Sequence, residues 1–179
     1  DNRFRISARY WPRALHISIA SVANAAFHTI EKRQACADAV HLQPPIFIIG
    51  HYRSGTSLLQ QLMLVDTQFT SPNTFQVFFP HTFRSTEPIF KKMLGLFLPS
   101  TRVYDNMSFR FDDPQEDEFA LCVLTLKSHF LRYVFSQRWA DYDRYLTFDD
   151  VLDSEIEQWK DALVAYLKKL DIGKTFVLK

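Results

Sequence analysis

The sequence is poor in cysteine: Cys36 and Cys122 are the two in 179 residues. That is too few for a disulfide framework, and neither sits in metal-ligand spacing. Cys122 lies in an apolar run and reads as a buried structural thiol. An excess of one charge is also missing. The 21 Lys and Arg against 20 Asp and Glu leave a net charge of +1, which argues against a protein that coats nucleic acid by bulk electrostatics. No run approaches the roughly 18–20 apolar residues of a membrane-spanning helix. Internal repeats and linkers of domain-boundary character are absent, and the length fits one domain with a sizeable core. A cytoplasmic location is the expectation, although Asp1 in place of an initiator Met leaves room for a removed leader or anchor.

Aromatic residues are abundant, with 17 Phe, 7 Tyr and 3 Trp, so the chain is neither disordered nor of low complexity. Residues 1–43 form an N-terminal helical segment. It opens with Arg3, Arg5, Arg9, Tyr10, Trp11 and Arg13; Leu15, Ile19, Val22, Ala23, Ala26, Phe27 and Ile30 then follow at helical spacing. Packing of that face on the domain is the favoured reading. Peripheral contact with a membrane surface is the alternative, weakened by the shortage of basic residues on the polar face.

The chain is organised around Pro45 to Leu59. Ile46–Ile49 reads as a strand covered on both faces. Gly50 and Gly55, two of only four glycines, allow a sharp turn and close approach to a ligand. From Thr56 the apolar pattern becomes helical, through Leu58, Leu59, Leu62 and Met63. Backbone N–H groups presented at a helix N-terminus make an anion site, so this is a phosphate- or sulfate-binding loop. The nucleotide-kinase loop G-x-x-x-x-G-K-[ST] has a lysine after its second glycine. Here Thr56-Ser57 stands there, and the cation is Arg53, two residues before Gly55.

Further along, Thr74–Phe79 reads as a second strand ended by Pro80. Ligands in open α/β sheets sit beyond the carboxyl ends of strands, which would bring His81 to the same mouth as Arg53. Ser85-Thr86-Glu87-Pro88 signals a helix start. A loop with Arg102, Tyr104, Asn106 and Arg110 follows. Asp113, Pro114 and Glu116 have the spacing of a capped helix start with a capping box, continued by Phe119, Cys122, Val123 and Leu126 as a buried face. The acids Asp112, Asp113 and Asp117 need no more than first-turn dipole chemistry to explain them. Residues 132–149 are irregular and aromatic. Ser154 and Glu157 have capping-box spacing before an amphipathic helix through Ile156, Trp159, Leu163, Tyr166 and Leu170, and Lys174–Lys179 opens a further strand. The fold class is α/β: a P-loop-like three-layer α/β/α domain with a parallel sheet.

Ile46 to Leu59 resembles the 5′-phosphosulfate-binding loop of sulfotransferases that use 3′-phosphoadenosine 5′-phosphosulfate (PAPS). In that superfamily a lysine or arginine precedes S/T-G-T-[ST], as Arg53 precedes Ser54-Gly55-Thr56-Ser57. Thr74 to His81 and Pro114 to Leu121 are similar to segments of an arginine-type branch. The resemblance covers residues 44–179.

It implies transfer of a sulfuryl group from PAPS to an acceptor hydroxyl, without a metal. Gly50, Arg53, Ser54, Gly55, Thr56 and Ser57 would bind the phosphosulfate, with Arg53 at the bridging oxygen. A general base would take the acceptor proton, the candidates being His81, Glu118 and Glu116, with Glu118 preferred to Glu116. Small-molecule, lipid and carbohydrate acceptors all fit, and no nucleic-acid partner is expected. The resemblance also places the readers of the 3′-phosphate past the strand beginning near Lys174, so the sequence to Lys179 is expected to hold half of the donor site, with a fold incomplete at its C-terminus. Another phosphate-loop enzyme, such as a nucleotide kinase or NTPase, and an inactive binding remnant are the alternatives.

Overall fold

A computed structural model describes residues 7–34, 42–51, 53–95, 101 and 109–179. Cys36, Arg102, Tyr104 and Asn106 lie outside them. A parallel sheet of order β1-β3-β2 anchors the fold. Strand β1 (Ile46–Phe47) pairs with β3 (Thr175–Leu178) through Ile46↔Val177 and Phe47↔Leu178. Strand β2 (Phe69–Thr70) pairs with the other side of β3 through Phe69↔Thr175 and Thr70↔Phe176. Phe176, Val177 and Leu178 are buried, as the apolar run of a central strand requires. The first strand is less covered than its sequence suggests: Phe47 is 51% and Ile49 93% exposed. Among the described residues, β1 pairs only with β3, which makes it an edge.

Helix α1 (Trp11–Gln34) precedes the sheet, and α2 (Thr56–Met63) follows β1. Buried Gln60 donates from Nε2 to the Val177 carbonyl at 3.1 Å, tying α2 to the centre of the sheet.

The segment expected as a second strand is instead a helix, α3 (Thr74–Phe78). Asn73 accepts from the Gln76 N–H at 2.9 Å, and Gln76 Oε1 accepts from the Asn73 N–H at 3.0 Å. This reciprocal capping box satisfies two donors that would otherwise be orphaned, and it starts the helix. Glu87 of α4 (Phe83–Gly95) accepts from both capping side chains, at 2.8 and 3.3 Å. The true second strand is the short segment before Asn73. Pro88 falls inside α4, which begins two residues before Ser85.

The capping box expected at Asp113–Glu116 does not form. Residues 111–115 run alongside 72–75: Thr74 N–H donates to the Asp113 carbonyl at 3.0 Å, Phe75 to Phe111 at 3.2 Å, and Gln115 to Pro72 at 3.0 Å. That pairing holds the segment extended, so α5 (Asp117–Thr125) starts with Glu116 as an N-cap that makes no side-chain capping bond. Its buried positions are Asp117, Ala120 and Leu121; Val123 and Leu126 are exposed, contrary to expectation.

Short helices α6 (Leu131–Val134) and α7 (Trp139–Thr147) lead to α8 (Asp153–Leu170), which buries Tyr166, Leu167 and Leu170. Leu152 occupies the N-cap of α8, so the Ser154–Glu157 box is not its start. The core joins Phe75, Val77, Phe83 and Phe111 to the buried faces of α5, α8 and β3.

Candidate active site

The loop after β1 has the backbone that anion binding needs. Ser54 donates from both its N–H and its hydroxyl to the His51 carbonyl, at 3.2 and 2.6 Å, closing a tight turn. Arg53 (φ 63°) and Gly55 (φ 90°) are left-handed. Arginine in that region costs about 1–2 kcal/mol, a local strain of the sort that clusters at ligand sites. Gly50 is required by close approach: a Cβ there would lie 2.7 Å from Thr56 Cγ2 and 2.8 Å from Ser54 Oγ.

Gly55 is the N-cap of α2 and supplies no side-chain cap. The N–H of Leu59 bonds back to the Gly55 carbonyl at 3.0 Å. The N–H groups of Thr56, Ser57 and Leu58 therefore precede that helical bond and point with the positive end of the helix dipole.

A second cation meets this helix start. Lys179, the residue after β3, donates from Nζ to Ser57 Oγ at 2.8 Å and pairs with Glu116 Oε1 at 3.0 Å. Its side chain is 7% exposed. Its backbone N–H donates to Asp117 Oδ1 at 3.0 Å. The loop, the end of β3 and the start of α5 are thus joined at one point. Sequence reading missed Lys179. The signal available was a lysine directly after a buried apolar strand, where α/β sheets place ligands.

The α5 acids do more than answer a helix dipole. Burial pushes the Asp117 carboxyl up to about 6, with the charge of Glu116 adding to the rise against the Lys179 amide. Burial pushes Glu118 up to about 7; the negative charges of Asp117 and Glu116 reinforce it, and a hydrogen bond with Ser128 opposes it. His129 Nδ1 lies 3.8 Å from Glu118 Oε1. Burial, then Arg132, hold His129 below its ordinary pKa. Cys122 is half-buried, and burial raises its thiol pKa.

The structure gathers Gly50, Ser54, Gly55, Thr56, Ser57 and Glu116 around the loop, with Arg53 in the loop itself, and sets Glu118 two residues along α5. It does not bring His81 there. The His81 ring packs on His28 with centroids 4.7 Å apart, and its carbonyl accepts from Lys169 Nζ at 2.7 Å. Lys169 stands at the end of α8 leading into β3, whereas Lys179 leaves the opposite end of that strand. The expected position depended on a strand at Thr74–Phe79; as a helix, α3 carries the chain away. Burial, then the charges of His28 and Lys169, lower the His81 pKa.

An open cleft of about 440 Å³ lies along α2, between Gln61 and Leu64 on one side and Asn73, Asp112 and Pro114 on the other. Among the described residues, no group of three or more His, Cys, Asp and Glu is placed to hold a metal ion.

A family model described as the sulfotransferase family matches residues 44–171. The chain belongs to that family. Two curated sulfotransferases, named as omega-hydroxy-beta-dihydromenaquinone-9 sulfotransferases of Mycobacterium bovis and Mycobacterium tuberculosis, are each 34% identical to it over 183 aligned positions. The match covers 99% of this chain and 47% of each relative, so the chain spans about half the length of the curated sulfotransferases it resembles. No solved structure matches significantly. The matched region takes in the loop, α5 and α8, and the α/β architecture with its parallel sheet is that of a P-loop-like sulfotransferase domain. Among the described residues, no helix is long and apolar enough to cross a membrane.

Proposed function

We propose that this protein transfers a sulfuryl group from PAPS to an acceptor hydroxyl, and that the acceptor is a lipid or lipid-like small molecule. The observation that carries the reading is the meeting of Lys179 Nζ with Ser57 Oγ at the uncapped start of α2, beside the loop containing Arg53. These residues fit a 5′-phosphosulfate: the helix start offers backbone donors, Gly50 leaves no side chain in the way, and two cations stand at hand. The lipid acceptor rests on the relatives, both named for a hydroxylated menaquinone.

In this reading, the N–H groups and hydroxyls of Thr56 and Ser57 hold the donor's 5′ end. Arg53 stabilises charge on the phosphate as its bond to sulfur breaks and the acceptor oxygen bonds to sulfur in line. Charge fixed in place before the reaction carries most of the rate enhancement in the related phosphoryl transfers. Lys179, held by Glu116, shares that task. Glu118, with a pKa of about 7, is tuned to take the acceptor proton at neutral pH.

Calorimetric titration of the full-length protein tests the donor assignment. Binding of adenosine 3′,5′-bisphosphate with indifference to ATP and Mg²⁺ is the expected result. Preference for ATP would make it a phosphate-loop kinase or NTPase, and binding of neither ligand would make it a remnant.

A further inference from the structure

Helix α1 is mounted with its apolar side outward. Its attachment to the body runs through Asn24, Phe27, His28 and Glu31. Thr82 donates to Asn24 Oδ1 at 2.7 Å, Phe27 meets the Phe90 ring edge-on at 5.9 Å, and His28 packs on His81. Buried Glu31 accepts from the Ser85 N–H and hydroxyl, at 2.7 and 2.6 Å, and pairs with Lys169. At about 100° of turn per residue, these four positions centre on one side of the helix, and Trp11, Leu15, Ile19 and Val22 centre on the opposite side. Those four side chains are 61–72% exposed. An apolar stripe pointing away from the body needs another partner.

Charge says which. Residues 2–30 contain Arg3, Arg5, Arg9 and Arg13 and no Asp or Glu. Arg13 falls on the side away from the stripe, and Tyr10 and Trp11 stand at the start of the helix, so the segment combines an apolar face, a net positive charge and interfacial aromatics, as a helix lying in an anionic membrane interface does. We infer that the first half of α1 docks this protein on an anionic lipid surface by its Trp11–Leu15–Ile19–Val22 stripe. The inference stands independently of the donor site. If the lipid acceptor proposed above is right, the docked helix holds the enzyme on the surface where that acceptor resides.

The test is co-sedimentation of the full-length protein with phosphatidylcholine vesicles, with and without phosphatidylglycerol. The expected result is binding that requires phosphatidylglycerol and weakens with salt. The double variant Leu15→Glu/Ile19→Glu should weaken it by about tenfold or more, with an unchanged melting temperature because both side chains are exposed. Arg13→Ser should weaken it about fivefold. Three outcomes would overturn the inference: no sedimentation of the wild type with anionic vesicles, equal binding by the double variant, or a lipid-free dimer that the double variant converts to monomer, which would assign the stripe to a second copy. Arg53→Ala should bind vesicles like the wild type, so failure of the donor reading leaves this test intact.

Discussion

Replacing Glu118 by Gln separates two consequences of one partly buried carboxyl. Its folded pKa of about 7 exceeds its ordinary value of 4.5. That gap corresponds to about 3 kcal/mol at about 1.4 kcal/mol per pH unit. The sign follows from proton binding. The folded state holds the proton more tightly than the unfolded chain, so the associated stability is fully present below about pH 4.5 and is lost as pH rises through about 7. Asp117, raised from 3.8 to about 6, acts in the same direction over a lower window. Gln at position 118 keeps an acceptor for Ser128 and cannot ionise. Urea unfolding across this pH range should show the wild type losing on the order of 3 kcal/mol that the variant retains, leaving the variant more stable above about pH 7. The same variant should lose about 10²-fold or more in turnover, along with the rise of wild-type activity with pH through about 7. A variant less stable than wild type above neutrality, or one with the same pH slope, would refute the argument from burial. Full turnover would remove Glu118 from the role of base.

Lys179→Met removes a charged donor from the helix start and should cost about 10- to 100-fold in affinity for adenosine 3′,5′-bisphosphate, read by titration; unchanged affinity would take Lys179 out of the site. Gly50→Ala forces a methyl against Thr56 and Ser54, so it should destabilise by about 1–3 kcal/mol in chemical denaturation and weaken donor binding as well. Glu31→Ala leaves the mostly buried Lys169 ammonium facing no carboxylate and should cost about 3 kcal/mol. Adding Lys169→Met should recover part of that loss, and a purely additive double variant would show that the pair is not coupled.

The parts of the fold that were legible in the sequence are those that local chemistry decides. The loop from Gly50 to Ser57 and helix α8 carry their own signals: glycines where the backbone needs them, and an apolar stripe ending in lysines before Gly173. Thr74–Phe79 was misread because alternating aromatics suit a strand and a short buried helix alike. Asn73 followed by Gln76 was the deciding pattern, and it reads as a turn unless its reciprocal bonds are considered. Strand β2 spans two residues and exists because β3 lies beside it, a long-range fact with no local signature. The α5 acids were under-read for a related reason. Composition shows five carboxyls near a helix start, but only packing shows that Asp117 is buried there and Glu118 partly so. On α1 the period was right and, Phe27 apart, the docked side wrong: Asn24 meets Thr82, and Glu31 meets Ser85 of α4 and Lys169 of α8, while Leu15, Ile19 and Val22 stay exposed.

The central claim is that Arg53 and the start of α2 form the site of sulfuryl transfer. The direct measurement is transfer of radiolabelled sulfate from PAPS by the full-length protein to a hydroxylated isoprenoid quinone, with Arg53→Ala in parallel. Labelled product from the wild type, and its loss in a variant with an unchanged far-ultraviolet spectrum and melting temperature, is the predicted result. Wild-type turnover by Arg53→Ala would contradict it.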